Sequence, residues 1–160
     1  MVILNMTKTF NVREYQPGDS ESVYALILAI LTNEFREIPP EHYLSDIRDI
    51  QSVYAGERNE FFVCENDGEI VGTIAVKEDD KKTALLRRLF VNPHFRGKKV
   101  GKTLIEKAFA FCREKNYEKI IFTGNNRMHD VKEVLTKLGF KEAEDVQLPG
   151  LELFRISHSL

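Results

Sequence analysis

The spacing of apolar residues changes abruptly after residue 91, and this change limits the folds that the chain can adopt. Before it, three consecutive segments are rich in apolar, β-branched and aromatic residues and predict strands: Phe61–Asn66, Glu69–Val76 and Thr83–Val91. Asp67-Gly68, between the first two, is a strong hairpin signal. After it, apolar residues recur at helical spacing from Val100 to Cys112. The sequence therefore predicts an antiparallel meander that runs directly into a helix.

The rest of the chain predicts a single mixed sheet. A strand at Thr9–Glu14 precedes two helical stripes, one from Val23 to Leu31 and one from Tyr43 to Tyr54. After the central helix, Lys119–Gly124 predicts a strand parallel to the third, because the connection is a right-handed crossover. A last helix stops at Gly139, and two strands follow, around Phe140–Val146 and Leu151–Ile156, joined at Pro149-Gly150. The order β-α-α-β-β-β-α-β-α-β-β predicts an α/β fold, with a mostly antiparallel central sheet and helices on both faces.

Composition narrows the class of protein. The 160 residues contain no repeat or linker-like tract, so one domain spanning 1–160 is expected. A net charge of -2 argues against nucleic acid as the main partner. Cys64 and Cys112 lack the spacing of a metal site, and no metal is expected. The chain lacks a positive leader and a spanning apolar run, so we expect a cytoplasmic protein that does not use a membrane.

The turn before the central helix is rich in positive charge and glycine. Unpaired N–H groups at a helix start, together with the helix dipole, favour anions. Gly97 and Gly101 allow close approach of a ligand, and four basic residues lie within seven positions: Arg96, Lys98, Lys99 and Lys102. These features predict a phosphate-bearing ligand. The alternative is an ordinary glycine-eased turn before a solvated basic helix start.

Gly101-Lys102-Thr103 matches the end of a P-loop, but the rest of that motif is absent. A P-loop requires another glycine five residues before its Gly-Lys pair, and Arg96 occupies that position. The preceding strand also ends a meander, whereas P-loop domains place theirs inside a parallel sheet. A nucleoside triphosphatase is therefore disfavoured.

Three segments together resemble the GNAT superfamily of acyl-CoA-dependent N-acyltransferases: LLRRLFVNPHFRGKKVGKTLIEKAF, IIFTG and VLTKLGFKE. The family's phosphate turn reads Gln/Arg-x-x-Gly-x-Gly/Ala, and Arg96 and Gly101 fill its first and last places. Lys99 replaces the middle glycine, a change expected to cost little if that residue keeps a helical φ. Gly139-Phe140 matches the Gly-Phe pair that follows the family's last helix.

The resemblance implies a coenzyme A site and an acetyl transfer. Backbone N–H groups of the turn would hold the coenzyme A diphosphate, with Arg96 at its mouth: Gly97, Lys98, Lys99, Val100, Gly101 and Lys102. The pantetheine arm would lie along Leu89, Phe90 and Val91, and the strand at Ile120–Thr123 would splay away to leave a slot for the thioester. Acetyl-CoA would then donate its acetyl group to a primary amine of an unidentified small molecule or peptide, by direct attack on the thioester.

The groups that would carry protons are left open. Many family members use a tyrosine four residues before the Gly-Phe glycine, and that position is Leu135 here. Glu34 is a candidate base or an exposed helix-end carboxylate. Several other residues could face the reaction or simply serve the fold: Tyr43, Tyr54, Arg87, Arg88, His94 and His129. Cys112 lies on the core face of its helix and is a poor nucleophile candidate, because an apolar setting raises the pKa of a thiol. The absent tyrosine favours a second possibility, a non-catalytic module that binds acyl-CoA or a partner.

The acceptor and the assembly are predicted more coarsely. Acidic residues between Asn33 and Asp49 favour a cationic amine, or form a solvated helix face: Glu34, Glu37, Glu41, Asp46 and Asp49, against Arg36 and Arg48. The last hairpin has apolar residues that could pair with a second copy as a homodimer: Leu148, Leu151, Leu153 and Phe154.

Overall fold

The computed structural model describes residues 10–36, 41–125, 128–148 and 151–160. Its helices are α1 (Ser20–Glu34), α2 (Glu41–Ile47), α3 (Ile50–Val53), α4 (Val100–Glu114) and α5 (His129–Lys137). Its strands are β1 (Asn11–Glu14), β2 (Glu60–Asn66), β3 (Glu69–Glu78), β4 (Thr83–Val91), β5 (Lys119–Asn125), β6 (Lys141–Leu148) and β7 (Leu151–Ser159). The predicted element order is confirmed, with one additional short helix.

The strands form one seven-stranded sheet in the order β1-β2-β3-β4-β5-β7-β6. Neighbours are antiparallel except β4 and β5, which pair in parallel. The mixed, mostly antiparallel sheet predicted from the sequence is therefore confirmed, including the parallel return after α4.

Apolar residues cover both faces of this sheet. In β2, Phe62 and Cys64 join a cluster packed against α4, while Phe61 and Val63 join a cluster packed against α1. The alternation follows from the two-residue period of a strand. A fully buried side chain as large as Phe or Val stabilises the fold by about 1.5–3 kcal/mol. The clusters on the two faces together therefore hold the sheet in place, including β4 and the turn that follows it.

The hairpin between β2 and β3 forms where the sequence predicts it. Asp67 and Gly68 have φ of 50° and 81°, both in the left-handed region. A two-residue turn with two positive φ values matches the twist of the flanking strands. The hairpin therefore sets the pairing of β2 with β3 at the turn, where Asn66 lies opposite Glu69.

The second helical stripe is not continuous. It divides into α2 and α3, and Asp49 between them has φ -143° and ψ 48°, outside the helical region. The break turns the chain back on itself, so that the Tyr54 hydroxyl reaches the Asp46 carboxylate at 2.6 Å. The break between the helices thus accompanies a buried polar contact, which apolar periodicity does not register.

The apolar edge proposed for the last hairpin is mostly wrong. Leu151, Leu153 and Phe154 lie on β7, which is hydrogen-bonded to β5 on one side and β6 on the other. Leu148 lies on β6, the last strand of the sheet, and Pro149-Gly150 falls outside the described residues. Three of the four residues therefore belong to an interior strand whose backbone is already paired.

Candidate functional site

The basic turn precedes α4 and leaves backbone donors at the helix start. Thr103 is the first residue of the helix whose N–H donates to a turn carbonyl, that of Lys99, at 3.0 Å. Across the described residues no side chain caps this end. The N–H groups of the first turn are therefore available to an anion, as expected for a helix N-terminus.

Lys99 does not have the helical φ that the sequence argument assumed. Its φ is 67° and its ψ 14°, a left-handed conformation, and Gly97 has φ 76°. For an L-residue other than glycine this conformation costs about 1–2 kcal/mol. The expectation that lysine would be nearly neutral at this place is wrong, because the turn geometry itself requires a positive φ there.

A cavity of about 470 Å³ opens over the turn. The end of β4, the turn, the end of α1 and the start of α5 line it. Among the predicted ligand-binding residues, those that line it are Leu89, Phe90, Val91, Arg96, Gly97, Lys99, Val100, Gly101 and Lys102. Lys98 is not among them; its Nζ lies over the ring of Phe95, 5.3 Å from the ring centroid.

Arg96 spans the mouth of this cavity. Its Nη1 and Nη2 donate to Glu34 Oε1 and Oε2 at 2.5 and 2.7 Å, and its Nε donates to the Val91 carbonyl at 3.1 Å. The hydrogen bonds to Glu34 raise the pKa of Arg96 above its ordinary value. Glu34, the candidate base, is therefore one half of an ion pair between α1 and the turn.

A second, smaller cavity lies where β4 and β5 part. Their pairing runs only from Thr83↔Lys119 to Leu86↔Phe122. Beyond it the strands enclose about 220 Å³, and this cavity shares Leu89, Phe90 and Met128 with the first. We call it the slot. The structure thus has the predicted splayed strands, and the slot adjoins the cavity over the turn.

The wall of the slot is shaped by a bulge in β4. The pairing of β3 with β4 shifts between Thr73 and Ala75, and Arg88 has φ 54°. The Thr73 hydroxyl donates to the Arg88 carbonyl at 2.8 Å. The bulge brings two successive arginines, Arg87 and Arg88, to the slot.

Arg88 is held by a buried carboxylate. Its Nε and Nη2 donate to Asp46 Oδ2 and Oδ1 at 2.8 and 2.7 Å, and Tyr54 donates to the same carboxylate. Burial tends to raise the pKa of Asp46, but the hydrogen bonds from Arg88 and Tyr54 and the charges of Arg88 and Arg87 outweigh it, so the pKa lies below its ordinary value. Burial and the bond to Asp46 raise the pKa of Tyr54.

Sequence reasoning missed this buried cluster, although a signal was present. Asp46 falls within the apolar stripe of the second helix, and Arg87-Arg88 interrupts an apolar strand. Charged residues are rarely buried unless they are paired. Asp46 and one of the two arginines have opposite charges, so they were candidates for an ion pair.

The remaining candidates lie away from the slot or outside the described side chains. Leu135 is fully buried in the core beside α4 and lines neither cavity. Cys112 is buried, which raises the pKa of its thiol to about 12, and His94 is exposed in the turn after β4. The side chains of Tyr43 and His129 are not among those described, and Glu37 falls outside the described ranges.

Two kinds of feature are absent from the described residues. No helix among them is both long and apolar enough to cross a membrane. No group of three or more His, Cys, Asp or Glu side chains in the same ranges is arranged to hold a metal ion.

A model of the Acetyltransferase (GNAT) family matches residues 24–140. The chain is 31% identical over 112 residues to the N-acetylaspartate synthetase of Danio rerio, covering 67% of this chain and 40% of that protein. It spans about half the length of the curated relatives that it matches.

Solved structures share the fold over nearly the whole chain. An acetyltransferase of the GNAT family from Staphylococcus aureus superposes with a TM-score of 0.85 at 24% identity, over 94% of this chain and 99% of that one. The PaiA N-acetyltransferase of Thermoplasma acidophilum, in complex with coenzyme A, superposes with a TM-score of 0.77 at 22% identity, over 95% and 99%.

Proposed function

Because the chain belongs to the Acetyltransferase (GNAT) family, we propose that it transfers an acetyl group from acetyl-CoA to a primary amine. The observation that carries this proposal is the adjacency of the two cavities. One lies over a helix start with available N–H donors, and the other lies between parted strands. A phosphate-bearing thioester placed in the first would reach the second along the end of β4.

Coenzyme A is proposed to bind by its diphosphate at the turn. The N–H groups of residues 97 to 102 and the dipole of α4 favour a doubly charged group, and Lys102 and Lys99 line the same cavity. The pantetheine arm is proposed to lie along Leu89, Phe90 and Val91. The complex of the Thermoplasma acidophilum neighbour with coenzyme A supports a site for this carrier on the shared fold.

The transfer itself is proposed to occur in the slot. The amine nitrogen attacks the thioester carbonyl, the carbon–sulfur bond breaks, and the coenzyme A thiolate leaves. Negative charge gathers on the carbonyl oxygen, where a backbone N–H near Val91 can stabilise it. The edge of β4 beyond Leu86 is not paired with β5, so its donors on that side face the slot.

Proton removal from the acceptor is proposed to depend on the charge of the slot. An amine with pKa about 10.4 is mostly protonated at pH 7, and freeing its lone pair costs about 4–5 kcal/mol. Arg87 and Arg88 line the slot, and like charges disfavour the ammonium form. Glu34 could act as a base only after its ion pair with Arg96 opens.

A second candidate is a module that binds acyl-CoA without turning it over. Leu135 favours it, because the residue at the usual tyrosine position is a fully buried leucine. The name of the Danio rerio relative, an N-acetylaspartate synthetase, favours the enzyme instead, since that name denotes an acetylated amine as product. The cytoplasm as compartment and a homodimer as assembly stay predictions.

The two candidates separate in an assay of free thiol released from acetyl-CoA over a panel of primary amines. The enzyme predicts release that depends on the amine, whereas the module predicts binding with no release on any amine.

Two matched variants, Gly101→Val and Gly101→Ala, test the assigned coenzyme A site by their affinity for coenzyme A. A Cβ at Gly101 would meet only Val91 Cγ2, at 3.8 Å, among the described atoms. Both variants should therefore fold, and alanine occurs at this place in the family's turn. We expect the alanine variant to retain coenzyme A binding and the valine variant to lose it. Equal affinity of the valine variant and the unchanged protein would contradict the assigned site.

A further inference from the structure

The charges on the wall of the slot do not balance. Among the described residues that line it, none is acidic, and the charged ones are Arg87 and Arg88. Behind them lies one carboxylate, Asp46, which is 6% exposed. Two guanidinium charges therefore face one carboxylate, leaving a net charge of +1.

Arg88 takes that carboxylate. It forms two hydrogen bonds to Asp46, and the third bond to Asp46 comes from the Tyr54 hydroxyl. The side chains of Arg88 and Asp46 are 13% and 7% exposed. This pair is a fixed, nearly water-free part of the wall.

Arg87 is placed differently. Leu86 and Leu89 on either side of the bulge pack with the α4 cluster, whereas Arg87 pairs with Ala75, which belongs to the α1 cluster. Arg87 is therefore on the α1 face, and it is half-buried. Within the described ranges, its guanidinium has no hydrogen bond or ion pair, and its attraction to Asp46 acts on a carboxylate already bonded to Arg88.

The strand register places a hydroxyl across the slot from this cation. The pairing Leu86↔Phe122 is the last between β4 and β5, so the next residue on β5 toward the slot opposite Arg87 is Thr123. Thr123 pairs with Arg155 on β7, whose Nε lies 3.4 Å from the Thr123 hydroxyl. Arg155 in turn lies opposite Glu144 of β6 in the strand register. Of the two arginines that line the slot, Arg88 is paired with Asp46, whereas Arg87 has no carboxylate opposite it in the strand register.

We infer that the acceptor is a small amine that also carries a carboxylate, and that Arg87 binds this carboxylate. A half-buried guanidinium gains most from a planar anion that accepts two hydrogen bonds. A polyamine would bring a second cation against Arg87, which like-charge repulsion disfavours. The specificity inferred for Arg87 rests on the proposed acetyl transfer, and it names the class of its substrate as amino-acid-like.

The earlier expectation of a cationic acceptor loses two of the five acidic residues on which it rested. It relied on acidic residues near the end of α1 and in the second helix. Of these, Glu34 is bonded to Arg96 and Asp46 to Arg88. Carboxylates that already have guanidinium partners attract a further cation weakly.

The test compares each acid with the amide that replaces its carboxylates: alanine against alaninamide, and aspartate, which has two carboxylates, against asparagine amide, which has none. Putrescine is the cationic competitor. We expect kcat/KM for each acid to exceed that for its amide by about 10-fold or more. The amide has the less basic amine, so basicity alone would favour the amide. Equal values for acids and amides, or putrescine as the best acceptor, would overturn the inference.

Variants assign the preference to Arg87. Arg87→Gln should raise KM about 10- to 100-fold for the acids but not for the amides. Any fall in kcat, caused by loss of the charge that disfavours the ammonium form, should be shared by acids and amides. Arg87→Lys should lose less, because it keeps the charge without the two-pronged geometry. Arg113→Gln removes the same charge at an exposed position on α4 and should change KM neither for the acids nor for the amides. A preference for acids that survives in Arg87→Gln would overturn the role of Arg87.

The outcomes also separate this inference from the proposed function. Transfer to amines without preference for a carboxylate would remove the inference and leave the acetyltransferase in place. Absence of acetyl-CoA binding to the folded protein would remove both. If Arg87→Gln does not fold, the comparison of acids with amides on the unchanged protein still decides whether the acceptor carries a carboxylate.

Discussion

Two arginine–carboxylate pairs join the helices before β2 to the end of β4 and to the turn after it, and they differ chiefly in their access to water. Arg88 binds Asp46 with side chains 13% and 7% exposed, and Arg96 binds Glu34 with side chains 44% and 34% exposed. Both pairs have two parallel hydrogen bonds. The same chemical contact therefore occurs once inside the wall of the slot and once at the mouth of the larger cavity.

Burial changes what each pair contributes. An exposed pair is screened by water and salt and typically stabilises a protein by up to about 1 kcal/mol. A buried pair contributes little net stability relative to apolar residues, but removing one partner leaves the other charge buried and uncompensated. The Asp46 pair should therefore maintain the shape of the slot, and the Glu34 pair should be able to open when an anion competes for Arg96.

The largest expected effect is on stability. Replacing Asp46 by alanine leaves Arg88 without its carboxylate and should lower the free energy of unfolding by about 3–5 kcal/mol. Glu34→Ala should lower it by about 1 kcal/mol or less. Urea unfolding of the two variants measures the difference directly. Equal losses would show that burial does not distinguish the pairs.

Acid should remove the contribution of the buried pair. The folded-state pKa of Asp46 is lowered, so its stabilisation is complete above the ordinary value near 3.8 and is lost as pH falls through the lower folded value. Urea unfolding between pH 7 and pH 2 gives the free energy of unfolding of the unchanged protein and of Asp46→Ala. The difference between these two free energies should become smaller below that ordinary pKa. A gap that stays constant would contradict the charged state assigned to Asp46.

The exposed pair should act on binding instead. Glu34→Gln removes the carboxylate that competes for Arg96, and coenzyme A affinity should rise a few-fold at low salt, with the gain fading as salt is added. Glu118→Gln, which removes an exposed charge far from the cavity, is the matched control. Weaker binding by Glu34→Gln would show that Glu34 positions Arg96 for the ligand rather than competing with it.

The smallest effect concerns the turn that contains Arg96. Lys99→Gly relieves a left-handed lysine and should stabilise the protein by about 1 kcal/mol or less, because glycine also gains entropy in the unfolded chain. Lys98→Gly relieves no positive φ and should give no gain. Thermal unfolding of both variants checks this, and equal shifts would contradict strain at Lys99.

The fold was predictable because its signals are local. The Asp67-Gly68 hairpin, the apolar face of α4 and Gly139 at the end of α5, with φ 108°, are each encoded within a few neighbouring residues. The turn before α4 was found in the same way, from glycines and basic residues beside a helix start. Most of the architecture could therefore be predicted from short-range periodicity and turn chemistry.

The partners in the site were not predictable in this way. Arg88 and Asp46 are 42 positions apart, and Arg96 and Glu34 are 62 apart. Which charges meet over such separations depends on the bulge in β4 and on the break between α2 and α3. The left-handed φ of Lys99 was missed for a related reason, since the turn geometry overrides the residue's own preference.

Calorimetric titration of coenzyme A, with pantetheine as the ligand that lacks the diphosphate and the adenosine 3′-phosphate attached to it, tests the central claim most directly. If the N–H groups at the start of α4 hold the diphosphate, coenzyme A should bind at one site per chain, and pantetheine should bind at least about 100-fold more weakly. No heat from a correctly folded sample, or equal affinity for the two ligands, would contradict the account.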